Sequence, residues 1–327
     1  MNHKICGLAL GALLFALSLP AQAQQPGKIP RIGYLGMTSL SKNAARTEAF
    51  RQGLRELGYV EGKNIFIELR YAERKIDRLP GLAAELVRLK VDIIVSGGPA
   101  ATRPLKQATK TIPIVMAFDT DPVGNGFVAS LARPGGNITG LSMLAPELSG
   151  KQLELMKEIL PNLSRLAVLG DSNAPGSAQS VKELERAAKA FRVKLQHLAV
   201  VSPKDIEIAF RAANKGRAGA ILLLPSPGTG SQRKQVVGLA VKYRLPAIYP
   251  FQKYVRAGGL MVYAPSRTDL YRRAATYVDK ILKGANPADL PVEQPTKFDL
   301  IINLKAAKQI GLKIPDQVLF RADKVIK

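Results

Sequence analysis

The chain has 327 residues, with 48 Lys and Arg against 25 Asp and Glu, and so a formal charge of +23. One Cys, two His and no Trp argue against a disulfide scaffold, a zinc site or a thiol enzyme. With 46% hydrophobic residues and its 22 Pro and 28 Gly dispersed, the chain is neither disordered, collagen-like nor a linker, and its length suits two domains or one large one.

Residues 1–23 have the form of a secretory signal peptide. Lys4 supplies the positive start, 7–19 the apolar run, and Ala21-Gln22-Ala23 the small-residue cleavage site. The apolar run is shorter than the roughly 18 residues of a membrane span. Cys6 precedes that run, so it is not a lipid-anchored Cys; an uncleaved N-terminal anchor is the alternative reading. Cleavage after Ala23 leaves no Cys, one His (His197) and a net charge of 47 minus 25, or +22, which suits the bacterial periplasm. His197 sits in a strand-like run, 194–200, with no G-x-S-x-G elbow to serve, and reads as a surface strand residue.

From residue 29, short β-branched runs alternate with helical-period segments, the pattern of βα units around parallel sheets. Strands are expected at 31–36, 64–71, 91–96 and 112–118, with helices at 44–57 (stopped by Gly58), 79–90 and 99–109. The same order recurs. Strand-like runs at 165–170, 194–200, 218–225 and 245–251 echo the first four at offsets of 134, about 130, 127 and 133. An offset near 130 points to a duplicated lobe, a short period would have meant a solenoid. A single long sheet with a coincidental pattern is the alternative. Residues 135–146 read as a last strand running into a crossover. Beyond the second half come a strand at 260–264, an amphipathic helix at 267–282, a Pro-rich passage at 284–295 and a strand at 298–302. The expected architecture is therefore α/β, with two doubly wound parallel-sheet lobes. One comprises 24–143 with a return segment 267–290, the other 144–266 with a return segment 291–327. Several crossovers make a hinge.

In open parallel sheets, ligands bind beyond the carboxyl ends of the strands. That rule selects Thr38, Ser39, Ser96, Gly98, Pro99, Ala100, Thr102 and Asp119 in the first half. In the second it selects Asp171, Ser172, Asn173, Ser226, Tyr249 and Phe251, with Tyr263. Residues 96–102 stand out, because glycines admit close backbone approach and Pro99 suits a helix start that can hold a carboxylate. Gly97-Gly98 reads equally well as a plain strand-to-helix turn. Asp119 is placed to accept from a ligand ammonium, whereas Asp121, before Pro122, reads as a turn residue. Tyr249 and Phe251 suit either a ligand ring or core packing. Residues 228–234 lack the second Gly before Lys that a phosphate loop needs, and no G-x-G-x-x-G follows the first strand. No catalytic residue, metal ligand or cofactor site is expected.

Four phrases in order carry a family resemblance: Ala49-Phe50-Arg51-Gln52-Gly53-Leu54-Arg55-Glu56-Leu57-Gly58-Tyr59, Asp121-Pro122-Val123-Gly124, Pro134-Gly135-Gly136-Asn137-Ile138-Thr139-Gly140 and Ala285-Asn286-Pro287-Ala288-Asp289-Leu290-Pro291. Together they resemble the ABC transporter substrate-binding protein family that includes tryptophan- and phenylalanine-binding members. The resemblance implies a type I periplasmic-binding fold with three crossovers, a small-molecule solute enclosed by hinge closure, and delivery to a membrane permease and its ATPase. It also implies that Ser96, Gly98, Ala100 and Thr102 meet a carboxylate and Asp119 an ammonium. After the third strand of the second half the chain reads Pro225-Ser226-Pro227, where aromatic-amino-acid binders tend to carry an acid.

The expected function is thus a monomeric periplasmic solute receptor. Its solute is carboxylate-bearing, amino-acid-like or aromatic. The alternatives are an exported sensory or scaffold clamp, and a periplasmic enzyme using Asp119 and Asp121 as paired carboxylates. The basic excess is spread as +7 over 24–145, +10 over 146–266 and +5 over 267–327. It therefore reads as solubility and anion steering, not nucleic-acid binding.

Overall fold

Residues 28–143, 148–171, 177–225, 229 and 232–327 are described in this computed structural model. The expected signal segment, crossover residues 144–146 and site residues Ser172, Asn173 and Ser226 lie outside them.

The first half runs β1 (Arg31–Gly36), α1 (Leu40–Glu56), β2 (Phe66–Tyr71), α2 (Leu79–Arg88), β3 (Ile93–Ser96), α3 (Pro99–Ala108), β4 (Ile114–Asp119) and β5 (Ile138–Ser142). These strands form one parallel sheet in the order β2-β1-β3-β4-β5. β3, β4 and β5 are buried at every residue, as expected of strands covered by helices on both faces. Periodicity places the start of α1 four residues late, because its buried stripe opens on the polar Asn43 and Thr47 before reaching Phe50, Gly53 and Leu54.

The second half repeats the plan with α4 (Leu148–Ile159), β6 (Arg165–Gly170), α5 (Ser177–Ala190), β7 (Lys194–Ala199), α6 (Asp205–Lys215) and β8 (Ala220–Leu223). It continues through α7 (Arg233–Lys242), β9 (Ala247–Tyr249), α8 (Gln252–Val255) and β10 (Met261–Pro265). The order β7-β6-β8-β9 matches β2-β1-β3-β4, as a duplicated lobe requires.

The chain then crosses back. Helix α9 (Arg267–Leu282) lies along α1 and against β4 and β5. The two helices approach so closely that a Cβ on Gly53 would stand 2.3 Å from the Arg272 carbonyl oxygen. Only glycine fits there. Val292 and Glu293 still follow the first sheet, their amides donating to the carbonyls of Leu131 and Gly140. The chain next re-enters the second sheet as β11 (Phe298–Asn303), antiparallel to β10, then α10 (Leu304–Gln309), α11 (Asp316–Phe320) and β12 (Lys324–Ile326). The second sheet thus reads β12-β11-β10-β9-β8-β6-β7. Two lobes and three crossings result, after β5, after β10 and after Glu293. Among the described residues no helix is long and apolar enough to cross a membrane.

Candidate functional site

Because β1 to β4 run parallel, their carboxyl ends share one edge, and β6 to β10 do the same in the other lobe. The interlobe connection at 265–267 leaves from that edge. The site is therefore a cleft between two rims of strand-to-helix loops, with α9 starting at its hinge.

On the first rim, the segment after β3 closes on itself. Ser96 and Thr102 are fully buried and their hydroxyl oxygens are 2.6 Å apart, each 3.1 Å from the Gly98 carbonyl oxygen. With one proton each, one hydroxyl donates to the carbonyl and the other donates to the first. The amides of Ala101 and Thr102 also donate to Gly98, and Pro99 has no N–H. In this turn Ala100 is exposed, and its amide has no hydrogen-bond partner among the described residues. Gly98 has φ +129°, and a Cβ there would sit 2.6 Å from Phe118 Cζ. Glycine here lets the Phe118 ring enter.

Asp119 ends β4 and is also fully buried. Its Oδ1 accepts from the Asp121 amide (2.9 Å) and from Asn125 Nδ2 (2.7 Å), while its Oδ2 is sealed without a partner among the described residues. Burial pushes its carboxyl up to about 6, against the pull of those two donors. Asp121 Oδ1 accepts from the Gly124 amide (2.9 Å), which fits its reading as a turn residue. Thr38 accepts from Asn43 Nδ2 (2.6 Å), Ser39 Oγ lies 3.2 Å from Ser41 Oγ, and both are half-buried at the rim.

On the second rim, Asp171 follows β6 and is half-buried. Tyr249 is buried and stacked on Tyr254 at 5.1 Å, in the core on the α7 and α8 side of the second sheet. Phe251 is half-buried beside the cleft, under Lys253 Nζ at 5.3 Å. Tyr263 is half-buried, stacks on Phe298 at 5.6 Å and packs against the core that contains α4. His197 lies on the sheet edge with Nε2 3.6 Å from Glu185 Oε1, a surface strand residue as its run predicts.

Around these lie residues that sequence reasoning did not select. Tyr34, Phe118 and Tyr271 are buried and, with half-buried Tyr71, form an aromatic core cluster beneath the first rim, with neighbouring centroids 5.5 to 6.4 Å apart. Tyr34 and Tyr271 share a hydroxyl contact of 3.2 Å, and Tyr271 donates to the Gly97 carbonyl (3.3 Å). The guanidinium of Arg267, first residue of α9, lies 3.9 Å over the Phe118 ring. Arg267 as a residue is half-buried, yet its Nε is sealed and unpartnered among the described residues. Burial and the neighbouring Arg46 charge hold that guanidinium down at about 10. Lys253, from the opposite lobe, is held below the usual lysine range by burial and by the charges of Arg233 and Arg267. A sequence signal existed: Arg267 and Arg233 open their helices, where the helix dipole disfavours a cation.

Comparison with known proteins meets this geometry. A solved structure from Vibrio cholerae O1 biovar El Tor strain N16961, a conserved domain protein, is 30% identical with a TM-score of 0.72, covering 91% of this chain and all of that one. The complex of an ABC domain with L-Trp from Streptococcus pneumonia is 28% identical, TM-score 0.73, covering 91% and 99%. A tyrosine-binding protein of Clostridioides difficile (strain R20291) is 26% identical over 284 residues, 85% of this chain and 81% of that one. The fold is that of the type I periplasmic binding proteins. The model of the ABC transporter substrate binding protein family matches residues 39–326, and the chain belongs to that family.

Proposed function

We propose that the chain is the solute receptor of an ABC importer. It is exported by residues 1–23 and works in the periplasm as a monomer that hands its solute to a permease–ATPase complex. It carries out no chemistry of its own. One arm is 24–143 with the return through Glu293, because Val292 and Glu293 hydrogen-bond along the first sheet; the other is 144–266 with the remainder. The solute is small, ring-bearing and carries a carboxylate. Thr38, Ser39, Ala100, Asp171 and Phe251 stand at the rims, while Ser96, Gly98 and Thr102 shape the loop that admits the Phe118 ring and Asp119 ends the strand that carries it.

The observation that carries this reading is the pair of strand-end rims, one on each parallel sheet, joined by three crossings of the chain. Rotation at a few connecting residues then closes one rigid lobe on the other. A ligand held by the closed form alone also raises stability by mass action. Small-angle scattering and thermal shift on the purified chain test it, using amino acids, aromatic carboxylates, sugars and nucleosides. A solute that both compacts the particle and raises its melting temperature is expected. No compaction with any of them refutes the receptor reading.

A further inference from the structure

Among the described residues the cations of the cleft lack counter-charges. On α9 itself, Arg272 pairs with Glu56 and Asp269, and Arg273 with Glu293 and Asp269. Arg267, on the same helix, has no acid, and among the described residues neither do Arg46, Lys253 or Arg233. Arg46 instead donates to the Lys42 carbonyl and lies 5.9 Å from the Tyr271 ring. Lys253 Nζ sits over Phe251 and Tyr254, at 5.3 and 5.6 Å. Arg46 belongs to the first lobe, Lys253 and Arg233 to the second, and Arg267 to the hinge between them. Mutual repulsion, partial burial and an unmet Nε donor all cost free energy in the unliganded protein. A bound anion offsets all three.

The acids nearby offer little to a ligand ammonium. Asp119 commits Oδ1 to its own loop and has no exposed surface, and Asp121 caps its own turn. Asp299 accepts from Gln252 (3.0 Å), and Asp269 is paired with Arg272 and Arg273. Asp171, half-buried on the second rim, is engaged in an interaction of its own.

We propose that the cleft selects an aromatic carboxylate without an ammonium group. The Arg267 guanidinium anchors the carboxylate once the lobes part, and Arg46 and Lys253 close on it from the two sides. Guanidinium and carboxylate match as paired donors and acceptors, and the anchor is already set on Phe118, whose buried ring holds its plane; half-buried Phe251, on the second rim, is the ring left for the solute's own. The proposal rests on the receptor reading and narrows its solute class.

Isothermal titration of the purified chain tests it with three matched pairs. These are 3-(4-hydroxyphenyl)propanoate and indole-3-propanoate, L-tyrosine and L-tryptophan, and tyramine and tryptamine. The propanoates are expected to bind at least about tenfold tighter than the amino acids, with no binding of the amines. Arg267→Gln is expected to weaken propanoate binding about tenfold or more, Arg267→Lys by less, and Arg46→Gln by a few-fold. Amino acids binding as tightly as the propanoates, or propanoate affinity unchanged in Arg267→Gln and Arg46→Gln, would overturn the proposal. If none of the six binds while another solute compacts the particle, this proposal falls and the receptor reading stands. If no solute compacts it, the receptor reading falls as well.

Discussion

The two kinds of polar group at the cleft differ in what they spend their hydrogen bonds on. Ser96, Thr102 and Asp119 are buried and point their donors and acceptors into their own loops. Arg267 and Arg46 are half-buried and Lys253 is exposed; Arg267 repels both of the others, and none has an acid partner among the described residues. The first set resembles a core and holds the rim's shape. The second resembles a site, since it carries a cost that a ligand can remove. Changes in the first set that remove a hydrogen-bonding atom or crowd the loop are therefore expected to cost stability, and changes in the second to spare it.

The severest test is Gly98→Val. A Cβ there meets Phe118 at 2.6 Å, and φ +129° is strained for any branched residue. The expected loss is about 3 kcal/mol or more in urea unfolding followed by circular dichroism, and Phe118 moves out from under Arg267. A variant as stable as the parent would show that the loop after β3 is not the rigid rim described.

Asp119→Asn comes next. The folded protein holds this proton more tightly than the unfolded chain, since burial lifts the carboxyl from 3.8 to about 6. Above about pH 6 the full penalty is present, on the order of 3 kcal/mol, and it disappears as pH falls towards 4. Asn keeps the Oδ1 acceptor for Asp121 and Asn125 and carries no charge. The variant is expected to lose this gain on acidification and to be no less stable than the parent at pH 7.5. A large loss at pH 7.5 would mean that the sealed oxygen meets a partner and that the charged carboxylate itself holds the loop.

Much of the fold was legible because a parallel strand buried on both faces must be a short β-branched run, and four such runs recur at nearly constant spacing. Element ends slipped where the buried face is polar, as at Asn43 in α1. The site was legible as an edge and less so as chemistry. Sequence gives the type of Ser96, Thr102 and Asp119 but not the partner each finds, and their partners are local. Tyr249 has a side chain suited to a ligand ring, yet its stacking on Tyr254 shows it as core. Arg267 was hidden inside an amphipathic helix. Only its place at the helix's first residue, against the dipole, set it apart from the paired arginines five and six positions on.

Ser96→Ala probes the closed triangle of two hydroxyls and the Gly98 carbonyl more gently. Thr102 still donates to the Gly98 carbonyl, so no buried donor is orphaned, and the loss is expected near 1 kcal/mol. A double change with Thr102→Val should be non-additive, because the two residues share one network. Full additivity would mean that the 2.6 Å contact contributes nothing.

Lys253→Met should have the smallest effect, and its sign matters most. Met keeps an apolar stem over Phe251 and Tyr254 while removing a charge that lies near Arg233 and Arg267. The lost cation–π contact is worth about 0.5 to 1 kcal/mol at such a site, and the relieved repulsion is of similar size. The unliganded variant is therefore expected within about 0.5 kcal/mol of the parent, and its salt dependence should be flatter, because a repulsive charge pair is what added salt screens. Destabilisation of 2 kcal/mol or more would show that Lys253 has a structural partner and belongs with the sealed groups.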